Sequence, residues 1–148
     1  MTDKWGRRLF RSGGVWLVLL GLVHSISLIQ RLAPANATER QLLDLMTNYK
    51  FNLPGALRSM DNLLRGFSIA FMLGAFAIGA LALVLSGERA ALLKRVALAN
   101  TLWLVALTAV SFRYFFIVPT TFLTVALLLF GLAWLKLPAE GESHNNLL

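Results

Sequence analysis

One histidine, His24, lies inside an otherwise apolar run, and few polar residues stand where they could act with it. Ser27 and Arg31 follow at i+3 and i+7, on the same face of a helix. A second polar set, Arg58, Asp61, Asn62, Arg65 and Ser68, precedes and enters the next long apolar run, and Ser111 and Arg113 close a third. Several cations around one carboxylate suit an anionic ligand, because the guanidinium is a planar fork that matches carboxylate or phosphate. An ionisable group at membrane depth is costly and is by default a functional candidate. A neutral imidazole bonded to a neighbouring helix serves equally as structural glue. Both readings of His24 stand on the sequence.

The chemistry these residues exclude is clearer. His24 alone makes no metal site, and Asp61 is expected above the hydrocarbon edge, so no metal and no cofactor is implied. Haem would need axial ligands beyond one histidine. With no cysteine in the chain there is neither a thiolate nucleophile nor a disulfide. A His-Asp-Ser set without a strand-turn-helix nucleophile motif names no hydrolase. A proton-coupled carrier would use acidic residues at mid-membrane depth, and the apolar runs hold none.

Positioning these residues falls to four apolar runs, at 14–29, 66–85, 96–112 and 120–135, each near the roughly 20 residues that cross a bilayer core. The chain is 57% hydrophobic and 14% charged, against roughly 25% charged residues in soluble domains. The expected fold is all-α: one four-transmembrane-helix domain over 1–138, with spans at about 13–31, 56–86, 92–113 and 119–136, and a disordered polar tail at 139–148. The formal net charge of +7 comes from residues flanking the spans, not from one polar face or arm. Membrane lipids with anionic headgroups are therefore the expected partners, and nucleic acid is not.

At the N-terminus, Lys4, Arg7, Arg8 and Arg11 with Trp5 and Trp16 read as a cytoplasmic anchor with aromatic residues at headgroup level. Arg7-Arg8-Leu9-Phe10 also approaches a twin-arginine signal, with Ala35-Asn36-Ala37 as a cleavage site. Continuation of the apolar run through Ile26, Leu28 and Ile29 argues instead for a retained span. Basic residues divide between Lys4, Arg7, Arg8, Arg11, Arg89, Lys94, Arg95 and Lys136 on one side and Arg31, Arg40, Lys50, Arg58, Arg65 and Arg113 on the other. This predicts that both termini face the cytoplasm.

The long first loop, 32–54, opens with Pro34 and a capping-box pattern, Asn36 with Glu39. Leu42, Leu45, Met46 and Tyr49 then form the stripe of a short amphipathic helix. The second span is expected to start near Gly55, with Arg58, Asp61 and Arg65 along one face and its first turns above the lipid. It carries two small-residue stripes, Gly66-Ala70-Gly74-Ala77 and Ala75-Gly79-Ala82. Either allows close helix packing within the bundle or a homodimer contact. Asn100, Leu104, Thr108 and Ser111 share one face of the third span, and Pro119 precedes the expected start of the fourth at Thr120-Thr121.

Gly21-Leu-Val-His24, Asn48-Tyr-Lys-Phe51, Gly55-Ala-Leu-Arg58-Ser59, Gly66-Phe67-Ser68 and the turn Tyr114-Phe-Phe-Ile-Val-Pro119 together resemble an uncharacterised bacterial family of small four-helix inner-membrane proteins. Asn62 stands where that pattern carries an acidic residue, with Asp61 one place earlier. The resemblance implies a fold and a bacterial inner membrane, and no reaction. Three functions follow as expectations. One is a non-enzymatic bundle whose outer polar pocket binds a lipid headgroup, a quinone-like or other small ligand, or a partner protein. The others are an enzyme using His24 with Asp61 or Asn62, and a small dimeric transporter.

Overall fold

The computed structural model describes residues 2–30 and 33–139. Its elements run α1 (Thr2–Ile29), α2 (Ala37–Asn48), β1 (Lys50–Leu53), β2 (Ala56–Ser59), α3 (Met60–Leu85), α4 (Ala90–Tyr114) and α5 (Ile117–Lys136). The fold is all-α, and α1, α3, α4 and α5 are long and apolar enough to cross a membrane. The chain is a multi-pass membrane protein in this sense. The expected tail, with His144, falls mostly outside the described residues, as does Arg31.

Two compact units divide the chain, residues 1–20 with 75–148, and Gly21–Gly74. The first is a four-helix bundle made of the first part of α1, the second part of α3, α4 and α5. Its centre is Phe10, Leu17, Leu93, Leu104, Phe130 and Leu137, all buried. Phe10 meets Phe130 edge-on at 5.5 Å. Trp16 stacks on Phe122 and donates its indole N–H to the Phe122 carbonyl at 2.9 Å, which satisfies the polar tip of a side chain that is otherwise apolar.

Close backbone approach holds this unit together. A Cβ on Gly79 of α3 would stand 2.8 Å from the Gly14 carbonyl oxygen of α1, and one on Gly13 would stand 2.8 Å from the Phe130 ring. Of the two predicted stripes, Ala75-Gly79-Ala82 is the buried one. The face predicted on the third span is also present: Leu104, Thr108 and Ser111 are buried, and Ser111 Oγ lies 2.8 Å from Thr120 Oγ1.

The second unit corrects the start of the second span. Residues 50–59 form an antiparallel hairpin, with Lys50 opposite Ser59 and Leu53 opposite Ala56, so α3 begins at Met60 and not near Gly55. The Pro54-Gly55 pair makes the turn, and Gly55 takes φ +79. Pro at i+1 and a positive-φ glycine at i+2 are what a type II turn requires. Arg58 is consequently on a strand, and the expected helical face of Arg58, Asp61 and Arg65 reduces to Asp61 and Arg65. At 26 residues α3 is about 39 Å long, so the overhang beyond a bilayer core of about 30 Å is smaller than expected.

Two other helix starts lie earlier than their apolar runs. α1 starts at Thr2 because nothing in 2–12 breaks it, and α5 starts at Ile117. Pro119 is tolerated in that first turn because its missing N–H would have had no intrahelical acceptor. The predicted Asn36-Glu39 cap at α2 is present, with Glu39 reaching one residue further back than in a strict capping box: Asn36 Oδ1 accepts from the Glu39 N–H at 2.9 Å, and Glu39 Oε2 accepts from the Ala35 N–H at 2.7 Å.

Candidate functional site

Most of the polar residues singled out in the sequence fall in the second unit, and local geometry divides them into separate groups. Ser59 ends β2 and caps α3 reciprocally with Asn62. Its Oγ accepts from the Asn62 N–H and its own N–H donates to Asn62 Oδ1, both at 3.2 Å. This is a capping box with Asn in the place usually held by Glu or Gln, and it commits the Asn62 carbonyl oxygen to the backbone. Asp61 accepts from Arg65 Nε at 2.8 Å, an exposed i,i+4 ion pair. Neither Asp61 nor Asn62 makes a hydrogen bond to His24.

His24 occupies a different setting. Its ring meets Phe71 edge-on at 5.0 Å and lies beside the backbone of Ser68, while Nε2 is buried without a hydrogen-bond partner among the described residues. Ser27 turns its hydroxyl back to the His24 carbonyl at 2.6 Å, a local bond within α1. The i+3 spacing thus places Ser27 against the backbone and leaves the imidazole to α3. Ser111 and Arg113 belong to the first unit. There Ser111 is buried against Thr120, and Arg113 lies over the Tyr114 ring at 5.3 Å.

The second unit does contain a groove. It measures about 520 Å³ and is lined by Arg58, Asn62, Leu63, Gly66, Phe67 and Ala70. The hairpin delivers Arg58 to its edge, and α3 supplies the floor, since 63, 66, 67 and 70 recur at i, i+3, i+4 and i+7. Gly66 keeps that floor low: a Cβ there would meet nothing within 4 Å. Arg58 donates to the Leu57 carbonyl at 2.9 Å and has no carboxylate partner among the described residues, so guanidinium donors remain for a ligand. The volume falls in the range of small-molecule sites, roughly 300–1,000 Å³. Leu63, Phe67 and Ala70 escaped the sequence reading as ligand contacts because an apolar helix position there reads first as lipid-facing.

Among the described residues, no group of three histidine, aspartate or glutamate side chains is placed to hold a metal ion. Comparison with known proteins adds no assignment: no protein-family model, no curated protein and no solved structure matches the chain.

Proposed function

We propose that this chain is a non-enzymatic protein of the bacterial inner membrane, with both termini cytoplasmic, that binds an amphiphilic small molecule in the groove where the hairpin meets α3. The carrying observation is the groove's composition, one guanidinium with no carboxylate partner among the described residues at the rim of an apolar floor. That pairing suits a ligand with an anionic or hydrogen-bond-accepting head and a hydrocarbon body, such as a lipid headgroup with its chain or a quinone-like molecule. The acid-base alternative loses support from the separate engagements of His24, Asp61 and Asn62.

Native mass spectrometry of the full chain released from mild detergent tests the proposal. The expected result is a bound small molecule on the wild type, weakened by Arg58→Gln and lost on Ala70→Trp, which fills the floor. Retention of the same number of bound copies of that mass on Ala70→Trp refutes it. A spectrum dominated by two copies of the chain without a ligand also refutes it, and assigns the Gly66-Ala70-Gly74 face to a homodimer.

A further inference from the structure

A second groove, in the first unit, carries a different kind of ligand. It measures about 470 Å³ and is lined by Arg8, Arg11, Ser12 and Val15 with Trp16 of α1 and Leu129 of α5. Its cations have no carboxylate partner among the described residues. Asp3 pairs with Arg7, which also donates to the Glu88 carbonyl at 2.6 Å. Arg8 lies over the Trp5 ring at 5.8 Å, and neither Arg8 nor Arg11 has a carboxylate at ion-pair distance among the described residues. The side chains of Arg11 and Ser12 make no hydrogen bond among the described residues, and both residues are exposed.

Depth along α1 matches a lipid. The helix is 28 residues, about 42 Å, which leaves roughly 12 Å beyond a bilayer core of about 30 Å. Arg8 and Arg11 therefore fall near the polar boundary, while Val15, Trp16 and Leu129 continue the groove into the hydrocarbon. The Trp16 N–H is already given to the Phe122 carbonyl, so its ring presents an apolar wall.

We infer that this groove is a site for a single anionic phospholipid, its phosphate held by the Arg8 and Arg11 guanidinium groups with the Ser12 hydroxyl, and its acyl chain lying along Val15, Trp16 and Leu129. Charge complementarity selects this occupant: two guanidinium groups without a carboxylate partner among the described residues, at the mouth of an apolar cleft, meet a phosphate on one side and a hydrocarbon chain on the other. The site is independent of the Arg58 groove and does not rest on the function proposed for it.

The test titrates the full chain in mild detergent with phosphatidylglycerol or with phosphatidylcholine and reads one-lipid adducts by native mass spectrometry. Wild type is expected to bind phosphatidylglycerol in preference to phosphatidylcholine. Each cation near an anionic headgroup is worth about a factor of five, so Arg8→Gln with Arg11→Gln lowers the affinity about 30-fold. Leu129→Trp, which keeps every charge but fills the cleft, abolishes the adduct. Lys4→Gln with Lys136→Gln removes two exposed cations outside the groove and leaves binding within twofold. Equal affinity for the two lipids overturns the inference. So does wild-type affinity in either groove variant, or a loss in the Lys4 and Lys136 variant as large as that in the arginine pair, which would reduce the effect to the general field of a basic terminus.

Discussion

Gly79→Ala is expected to destabilise the four-helix unit, and the structure sets the size. A Cβ at Gly79 would lie 2.8 Å from the Gly14 carbonyl oxygen, 2.9 Å from the Val18 backbone nitrogen and 2.9 Å from Val18 Cγ2. Ordinary contact begins near 3.4 Å, and two of these three atoms are backbone, so relief requires α1 and α3 to move apart and not merely a rotamer change. Overpacking of this kind costs about 1–3 kcal/mol. Alanine recovers up to about 1 kcal/mol of helix propensity over glycine, leaving a net loss of up to about 2 kcal/mol, toward the upper end because the contacts at 2.8–2.9 Å include backbone. Gly74→Ala on the same helix isolates the propensity term, because a Cβ there meets nothing within 4 Å. It is expected to be neutral or stabilising by up to about 1 kcal/mol. Thermal unfolding of the detergent-solubilised chain, followed by near-ultraviolet circular dichroism, separates the two. A Gly79→Ala protein as stable as wild type, or a Gly74→Ala protein that falls as far, refutes the close-packing argument.

Gly55→Val replaces the positive-φ residue of the hairpin turn and forces a β-branched side chain into a conformation costing about 1–2 kcal/mol. Hydrogen exchange should show faster exchange of backbone amides in 50–59 while amides of α4 and α5 stay unchanged. Ser111→Ala removes a buried hydroxyl contact of 2.8 Å, yet Thr120 Oγ1 keeps its bond to the Phe116 carbonyl at 2.9 Å. The loss should therefore sit at the low end for a hydrogen bond, about 0.5–1 kcal/mol, and a double-mutant cycle with Thr120→Val should return a coupling of that size.

The four long helices, the Asn36-Glu39 cap and the buried face of α4 follow from the sequence alone, because each is decided within a few turns of the chain. A run of some 20 apolar residues without a polar break has one low-energy form in lipid, and a capping pair needs only its own backbone. Other signals were local but ambiguous. Pro54-Gly55 marks a turn within the sequence itself, yet nothing local says that 56–59 pair back on 50–53 instead of opening the helix. Asn62 does line the groove, but its side-chain oxygen is taken by the Ser59 N–H, a pairing that exists only because β2 ends where α3 begins.

What only the tertiary structure decided is partnership. Both small-residue stripes of α3 are equal on a helical projection, since periodicity says which residues share a face and nothing of what the face meets. The approach of Gly14 to Gly79 buries one stripe, and the other is left open at Gly66 and Gly74. The same holds for the charges. Composition supplies an excess of arginine, but it takes folded neighbours to show that Arg7 and Arg65 are paired while Arg8, Arg11 and Arg58 line grooves with no carboxylate at ion-pair distance among the described residues. An ion pair or a cleft is a relation between segments, and its energy depends on distances that no single segment contains.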